Sequence, residues 1–522
     1  MNKNNLPIYL SIAVIFGILI GSFFNGNSNN SFSLSKSTSS EVKIKRLINF
    51  IERDYVDSTN TDKLLDGAIT QMLSKLDPHS VYIPKEELQA VTESMDGKFV
   101  GIGVQFRIIK DSVTVVQPIK GGPSIVAGIK AGDRILMADK DTLFGKKFVN
   151  NDVPKFLKGK PDTQVKLQIY RKSNDSLFSV NVTRGDVNIK SVDVAYMIND
   201  SIGYIKLDRF ARNTYTEFKT GLTKLKSSGM KDLVLDLRGN GGGFIDIANS
   251  IVDEFLENNK LIVFTKNNKG KIDESFATSK GDFEKGGLYV LIDENSASAS
   301  EILAGALQDN DKGTIIGRRS FGKGLVQQEM DLGDGSAVRL TTARYYTPTG
   351  RSIQKPYDVN DNGNYYQEYQ ERINNGELLN KDSIPTVDSL KYTTPKGKIV
   401  YGGGGIIPDI FVAIDTTAYL PAYFFNTINN FTFDFVDNQR KQLTKRWKVD
   451  DFIENFDKDN AVFKEYLSAQ KNTKPSVKTK NILKKYLKAS IANELFSDVG
   501  FYKIMHKDDN MIQKVLELEA LK

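Results

Sequence analysis

Cysteine is absent from this chain of 522 residues, and histidine occurs only twice. Without cysteine there is no thiol nucleophile, no disulfide and no lipidated cysteine anchor. A histidine-based hydrolase would have to use His79 or His506. His79 follows Asp77-Pro78 at a helix exit, a position where histidine is more often structural, and it is left out of the candidate site. If the chain performs acyl chemistry, the natural general base is a lysine. A dominant charge is lacking too. The net charge is +7 and the basic residues are spread along the chain, which gives nucleic-acid binding no support. With 40% hydrophobic and 26% charged residues the composition is ordinary for a globular protein, and the length allows about three or four domains.

Two segments stand out against this background. Ser296-Ala-Ser298-Ala-Ser300-Glu301 is followed by Phe321-Gly-Lys323-Gly-Leu-Val-Gln327. A serine hydroxyl attacks poorly until its proton is removed. A lysine amine can remove it only when neutral, and its unperturbed pKa is about 10.4. Burial lowers that value. Lys323 lies between two glycines and beside apolar residues, and Gln327 can orient the amine without adding charge. Taken alone, Lys323 reads as an ordinary lysine in a glycine-rich turn. A third segment decides otherwise. Lys231-Asp-Leu-Val-Leu-Asp-Leu has the pattern of a buried strand, stops at Arg238-Gly-Asn-Gly241-Gly242-Gly243, and gives way to a helix pattern from Phe244. Strand, glycine turn and helix start aim backbone N–H groups at an anion. A phosphate cradle and an oxyanion hole both fit. No Gly-Lys-Ser/Thr follows the glycines, which weakens the first, and the downstream serine favours the second.

In this order the three motifs resemble the carboxyl-terminal processing (tail-specific) proteases, Ser/Lys peptidases with an embedded PDZ domain. The resemblance runs over roughly residues 40–412. It implies Ser298 as nucleophile, Lys323 as base and Gln327 as the residue that orients the base. It implies the backbone N–H groups of Gly243 and Ala299 as oxyanion donors, and an α/β catalytic core of ClpP/crotonase-like type. It calls for no cofactor and no metal. One detail departs from the commonest family form: Gly239 stands where asparagine is frequent. Ser296 and Ser300 are chemically equal to Ser298 on sequence alone, although on a helix they would point about 200° away from it. The choice of Ser298 rests on the resemblance. Ser320-Phe-Gly-Lys323 also matches the Ser-x-x-Lys pattern of penicillin-binding enzymes, but the only Lys-Thr-Gly, at Lys219, lies upstream of the serine.

The chain divides into six expected parts. Residues 1–25 form an anchor or signal segment, 26–40 an Asn/Ser-rich linker, and 41–96 a helical region. Residues 97–184 form a β-rich module, 185–415 the protease core, and 416–522 a helical extension. The core alternates strands and helices. Residues 356–385, rich in Asn, Asp and Tyr, read as an insertion loop. The β-rich module looks like a PDZ domain, with Gly101, Ile102, Gly103 and Val104 as the cradle for a peptide carboxylate and the adjacent strand edge for the peptide backbone. The extension lies beyond the resemblance. Its amphipathic helices are expected to dock on their own chain, with an oligomer or an adaptor as the other roles.

Leu6 to Phe24 is an uncharged apolar run of 19 residues, about 28 Å as a helix, close to the hydrocarbon thickness. It reads as an uncleaved membrane anchor with the catalytic body outside the cytoplasm, on the periplasmic side of the cell envelope. Secretion after signal cleavage is the alternative. The whole reads as an envelope serine endopeptidase that recognises protein substrates by free, apolar C-terminal tails. Two rivals remain: a catalytically silent PDZ scaffold, and a crotonase-type acyl enzyme, for which no CoA signal is present.

Overall fold

The computed structural model describes residues 38–145, 149–359, 362–416, 420–470 and 475–522. The apolar run Leu6–Phe24 lies outside the described residues. Among the described residues no helix is long and apolar enough to cross a membrane.

The chain forms two compact units, one up to Ala68 and one from Ile69 onward. In the first, the helix Ser39–Asp54 opens on a capping box. The Thr38 hydroxyl accepts from Glu41 N–H, and the Glu41 carboxylate accepts from Thr38 N–H.

In the second unit a six-stranded sheet carries the core. Its order is Val192–Met197, Ile202–Leu207, Asp232–Asp236, Gly287–Ile292, Thr314–Gly317, Ile410–Phe411. From Ile202 onward the strands are parallel. A parallel strand covered on both faces reads as a continuous apolar run, and all six residues of Ile202–Leu207 are buried. Side chains alternate between the faces. Ile205, Leu207, Leu233, Leu235 and Val290 pack with Phe218, Leu222, Ile251 and Leu303 of the helices Thr214–Ser227, Ile245–Asp253 and Ala299–Asp309. The alternate residues Tyr204, Val234, Leu291 and Ile316 meet Met511, Ile512 and Val515 of the last helix, Asn510–Ala520. The C-terminal extension thus supplies the outer layer of an α/β/α sandwich.

A second sheet joins Val81–Ile83, Leu325–Asp331, Ala337–Tyr346, Leu261–Asn267 and Ile272–Phe276. The β-rich module has its own sheet and its own core around Val113, Val115, Ile135, Leu167 and Ile169. A two-stranded ribbon, Lys98–Gly101 against Gly185–Asn188, frames its two chain ends. The expected α/β core, β-rich module and terminal helices are therefore all found.

The stretch read as an insertion loop requires a correction, because it contains the helix Asn362–Asn374. Its polar composition hid the helix. Glu368 of that helix pairs with the buried Arg319 and Lys355, and Glu377, beyond the helix, pairs with Arg319 and with Arg372 of the helix. Tertiary ion pairing holds it, together with the buried Tyr365 ring packed on His79 and Phe321.

Candidate active site

The strand Gly287–Ile292 leads into a short turn, and Ser298 caps the helix Ala299–Asp309. Its φ is +56° and its ψ −113°, a left-handed backbone that a non-glycine residue adopts at a cost of about 1–3 kcal/mol. Such a residue persists only if its surroundings over-determine it. Here they do. Ser298 N–H donates to Glu301 Oε2 (2.8 Å), and the Ser298 carbonyl accepts from Ile302 N–H (2.9 Å) and from the Tyr345 hydroxyl (3.2 Å).

The flanking serines are committed elsewhere. Ser296 Oγ donates to the Leu237 carbonyl (2.8 Å) and accepts from Asp293 N–H (3.0 Å). Ser300 Oγ donates to the Asn240 carbonyl (2.9 Å). Both are fully buried. They stitch the serine turn to the glycine loop and leave Ser298 as the serine that lines the cavity. Ser320 is also buried, with its hydroxyl on Glu301 Oε1 (2.6 Å).

The glycine loop must come close. A Cβ on Gly242 (φ +101°) would stand 2.8 Å from Ser298 Cβ and 2.9 Å from Ala299 N. Gly243 forms a parallel bridge with Phe210, in which Phe210 N–H donates to the Gly242 carbonyl (3.0 Å) and Phe244 N–H to the Phe210 carbonyl (2.8 Å). The N–H groups of Gly243 and Ala299 take no acceptor among the described residues.

Lys323 lines the same cavity. Its Nζ donates to Gln327 Oε1 (2.9 Å), and Gln327 Nε2 donates to the His79 carbonyl. Burial lowers the Lys323 pKa from its ordinary value, and the Arg339 cation lowers it further, against the opposing pull of Glu301 and Asp77. The Asp77 carboxylate accepts from His79 N–H (2.8 Å) and Ser80 N–H (2.9 Å), a turn that fixes the carbonyl Gln327 uses. Desolvation, then the Lys323 charge, pushes His79 down to about 4, so its ring is neutral near pH 7. Its Nε2 lies 2.8 Å from the Tyr365 hydroxyl.

Two residues that tie the halves together were not singled out in the sequence. The Glu301 carboxylate is fully buried and accepts from Ser298 N–H, Lys323 N–H, Gly322 N–H (2.6 Å) and the Ser320 hydroxyl. Burial raises its pKa, while these four donors oppose the rise. Tyr345 OH bridges the carbonyls of Ser298 and Lys323, the latter at 2.8 Å. Glu301 had a signal: Ser298-x-x-Glu301 is the capping-box spacing. Tyr345 had none, since it comes from a strand distant in sequence.

Ser298, Lys323, Gln327 and Gly243 line one cavity of 520 Å³, with Ile245, Ile302, Leu325 and Val326 as apolar wall. Ala299 sits buried beside Ser298. Gly101, Ile102, Gly103 and Val104 are not part of this cavity. They lie in the β-rich module, where the Ile102 side chain belongs to the module's core. The Ser124 hydroxyl and N–H both hold the Ile102 carbonyl, at 2.5 and 2.8 Å.

Comparison with known proteins makes this a serine peptidase that carries a PDZ domain, and gives the particular family. The profile of peptidase family S41 matches residues 201–361, a PDZ domain matches 100–182, and the N-terminal domain of the activating protease CtpB matches 24–87. A family of unknown function matches 423–498. A carboxy-terminal-processing protease of Bartonella bacilliformis is 36% identical over 355 residues, covering 66% of this chain and 78% of that protein. A probable CtpA-like serine protease of Staphylococcus aureus is 35% identical over 315 residues, covering 60% of this chain and 62% of that protein. Among solved structures, the photosystem II D1 C-terminal processing protease is 30% identical, covers 61% of this chain and 91% of that one, and has a TM-score of 0.35. The chain belongs to the carboxy-terminal-processing protease family.

Proposed function

We propose that the chain is an endopeptidase with a Ser298/Lys323 dyad, which takes protein substrates by their free C-terminal tails. The observation that carries the dyad is the Lys323 amine. It is buried, oriented by a neutral glutamine, and shares a cavity with a serine whose two neighbouring hydroxyls are already committed. The neutral amine takes the Ser298 proton as Oγ bonds to the scissile carbonyl carbon. The oxygen that becomes negative is stabilised by the N–H groups of Gly243 and Ala299. The C–N bond then breaks, and the lysine ammonium returns the proton to the leaving amine. Water, deprotonated by the same amine, hydrolyses the ester. The apolar Leu6–Phe24 run supports an enzyme tethered to the envelope, with this body outside the cytoplasm.

The test is cleavage of an unfolded, tailed protein by the chain from residue 38. Tail recognition gives its own expected result. The Gly101–Val104 backbone is proposed to cradle the substrate's α-carboxylate, and charge-assisted hydrogen bonds contribute about 1.5–3 kcal/mol each. Amidating the substrate C-terminus should therefore weaken binding about tenfold or more. Titration calorimetry with a Ser298→Ala chain and a free-acid or amidated apolar peptide measures it. Equal affinities would remove tail recognition from this reading. No cleavage of any tailed protein would leave the silent PDZ scaffold.

The pH dependence follows from the direction of the lysine shift. Activity needs the neutral amine, so kcat should rise with pH through the lowered Lys323 pKa and level off below the ordinary lysine range. Gln327→Ala should lower kcat less than loss of either dyad member. A flat kcat profile from neutral to alkaline pH, with chemistry rate-limiting, would contradict lysine as base.

A further inference from the structure

The C-terminal helices are joined to the rest of the chain by two different chemistries. On the core side the join is apolar at its centre, with the ion pairs Arg238–Asp509 (2.7 Å) and Lys522–Asp232 (3.0 Å) beside it. Met511, Ile512 and Val515 cover Tyr204, Val234 and Leu291, beside a buried contact of 2.6 Å between the Tyr196 hydroxyl and His506 Nδ1. On the PDZ side the join is mainly charged, with one buried ring, Phe433, under the Arg134 guanidinium at 5.7 Å. Strand register sets Arg107 opposite Thr114, Thr114 opposite Arg134, and Arg134 opposite Tyr170. Directly opposed residues share a face, so Arg107 and Arg134 stand in one row across the PDZ sheet.

Acidic residues of the extension meet that row. Arg134 pairs with Asp437 at 2.8 Å, and Arg107 with Glu494 at 3.4 Å. At the edge, Lys110 pairs with Asp434 at 3.1 Å, and Lys172 donates to Asn438. Asp437 and Asp434 lie on the helix Ala422–Arg446, and Glu494 on Val477–Met505. Glu494 is shared with Arg440 at 3.5 Å. Gly132, with φ +89°, permits the central approach, since a Cβ there would collide with the Asp437 carboxylate. The central pair is shielded, its side chains 14% and 7% exposed. The flanking cations are open, with Lys110 at 77% and Arg107 at 38%.

We propose that the C-terminal extension is a releasable electrostatic latch on the PDZ domain. It stays fixed to the core by apolar burial and holds the PDZ sheet by ion pairs. Raising salt from about 0.1 M to about 1 M shortens the screening length from about 10 Å to about 3 Å, which weakens the open pairs and leaves apolar burial intact. Removing one member of the shielded pair strands its partner's charge and opens the latch directly. The PDZ domain is then free to move about the ribbon Lys98–Gly101/Gly185–Asn188.

The absence of cysteine makes the test direct. Spin labels on Ser173→Cys and Gln442→Cys, both exposed, report the PDZ–extension distance in the full chain. Labels on Ser228→Cys and Glu517→Cys, also exposed, report the core–extension distance. The first distribution should be narrow at low salt, and should broaden at least twofold at high salt and in Asp437→Lys. It should narrow again when Arg134→Glu is added to Asp437→Lys. The second should stay narrow throughout. A first distribution unmoved by salt and by Asp437→Lys overturns the latch. So does broadening of both pairs together, which would mean that the extension itself comes apart.

Discussion

Replacing Ser298 or Lys323 by alanine is expected to abolish cleavage of a tailed protein, each by a factor of about 10⁴ or more. The hydroxyl has no base without the amine, and the amine has no target without the hydroxyl. Because the two act as one unit, the double variant should be no worse than either single one. Lys323→Arg sharpens the test. A guanidinium keeps the positive charge but is never neutral near physiological pH, so this variant should be as inactive as the alanine. None of these changes touches the PDZ module, so binding of a free-acid peptide should be unchanged in all of them. Steady-state cleavage and calorimetry on the same samples separate the two effects. Full activity in Lys323→Ala would sink the dyad.

Glu301→Gln should be almost as damaging, for a reason that lies in hydrogen-bond counting. The carboxylate accepts from four donors, two on each oxygen: Ser298 N–H and Lys323 N–H on Oε2, the Ser320 hydroxyl and Gly322 N–H on Oε1. An amide offers one acceptor oxygen and turns an NH₂ toward the other two donors. Buried donors left unsatisfied cost about 1–3 kcal/mol each. The serine turn and the lysine loop hang from the same carboxylate, so both shift together. A displacement of about 1 Å at a reacting centre costs about 10²-fold, and kcat should fall at least that far with KM little changed. The pH profile gives a second readout. The Glu301 charge raises the Lys323 pKa, so removing it should move the rising limb of the residual activity to lower pH. A variant with wild-type kcat and an unmoved profile would show that Glu301 only supports the fold.

Much of this was legible in the residues themselves, and the reason is local. A parallel strand buried on both faces, as Asp232–Asp236 is, has to be a continuous apolar run, and a close backbone approach has to be glycine, as at Gly242 and Gly243. Those demands act over a few residues, so they are written in consecutive positions. The absence of cysteine excluded a thiol, and the scarcity of histidine made lysine the natural candidate base.

The choice among three serines was another matter. Ser296, Ser298 and Ser300 are chemically equal in the sequence, where the resemblance alone picked Ser298, and the tertiary contacts of Ser296 with Leu237 and of Ser300 with Asn240 commit the other two. Tyr345, the His79 carbonyl and the ion-paired helix Asn362–Asn374 were invisible for the same reason, since each depends on partners far away along the chain. The extension shows the limit most clearly. Its amphipathic stripes announced that something would be covered. That one face would be welded to the central sheet by Met511 and Ile512, and another paired with a basic row on the PDZ sheet, follows from strand register and helix packing. Periodicity dictates that a helix has an apolar side. Which surface that side meets is decided only when distant segments compete for the same burial, and that competition exists only in the folded chain.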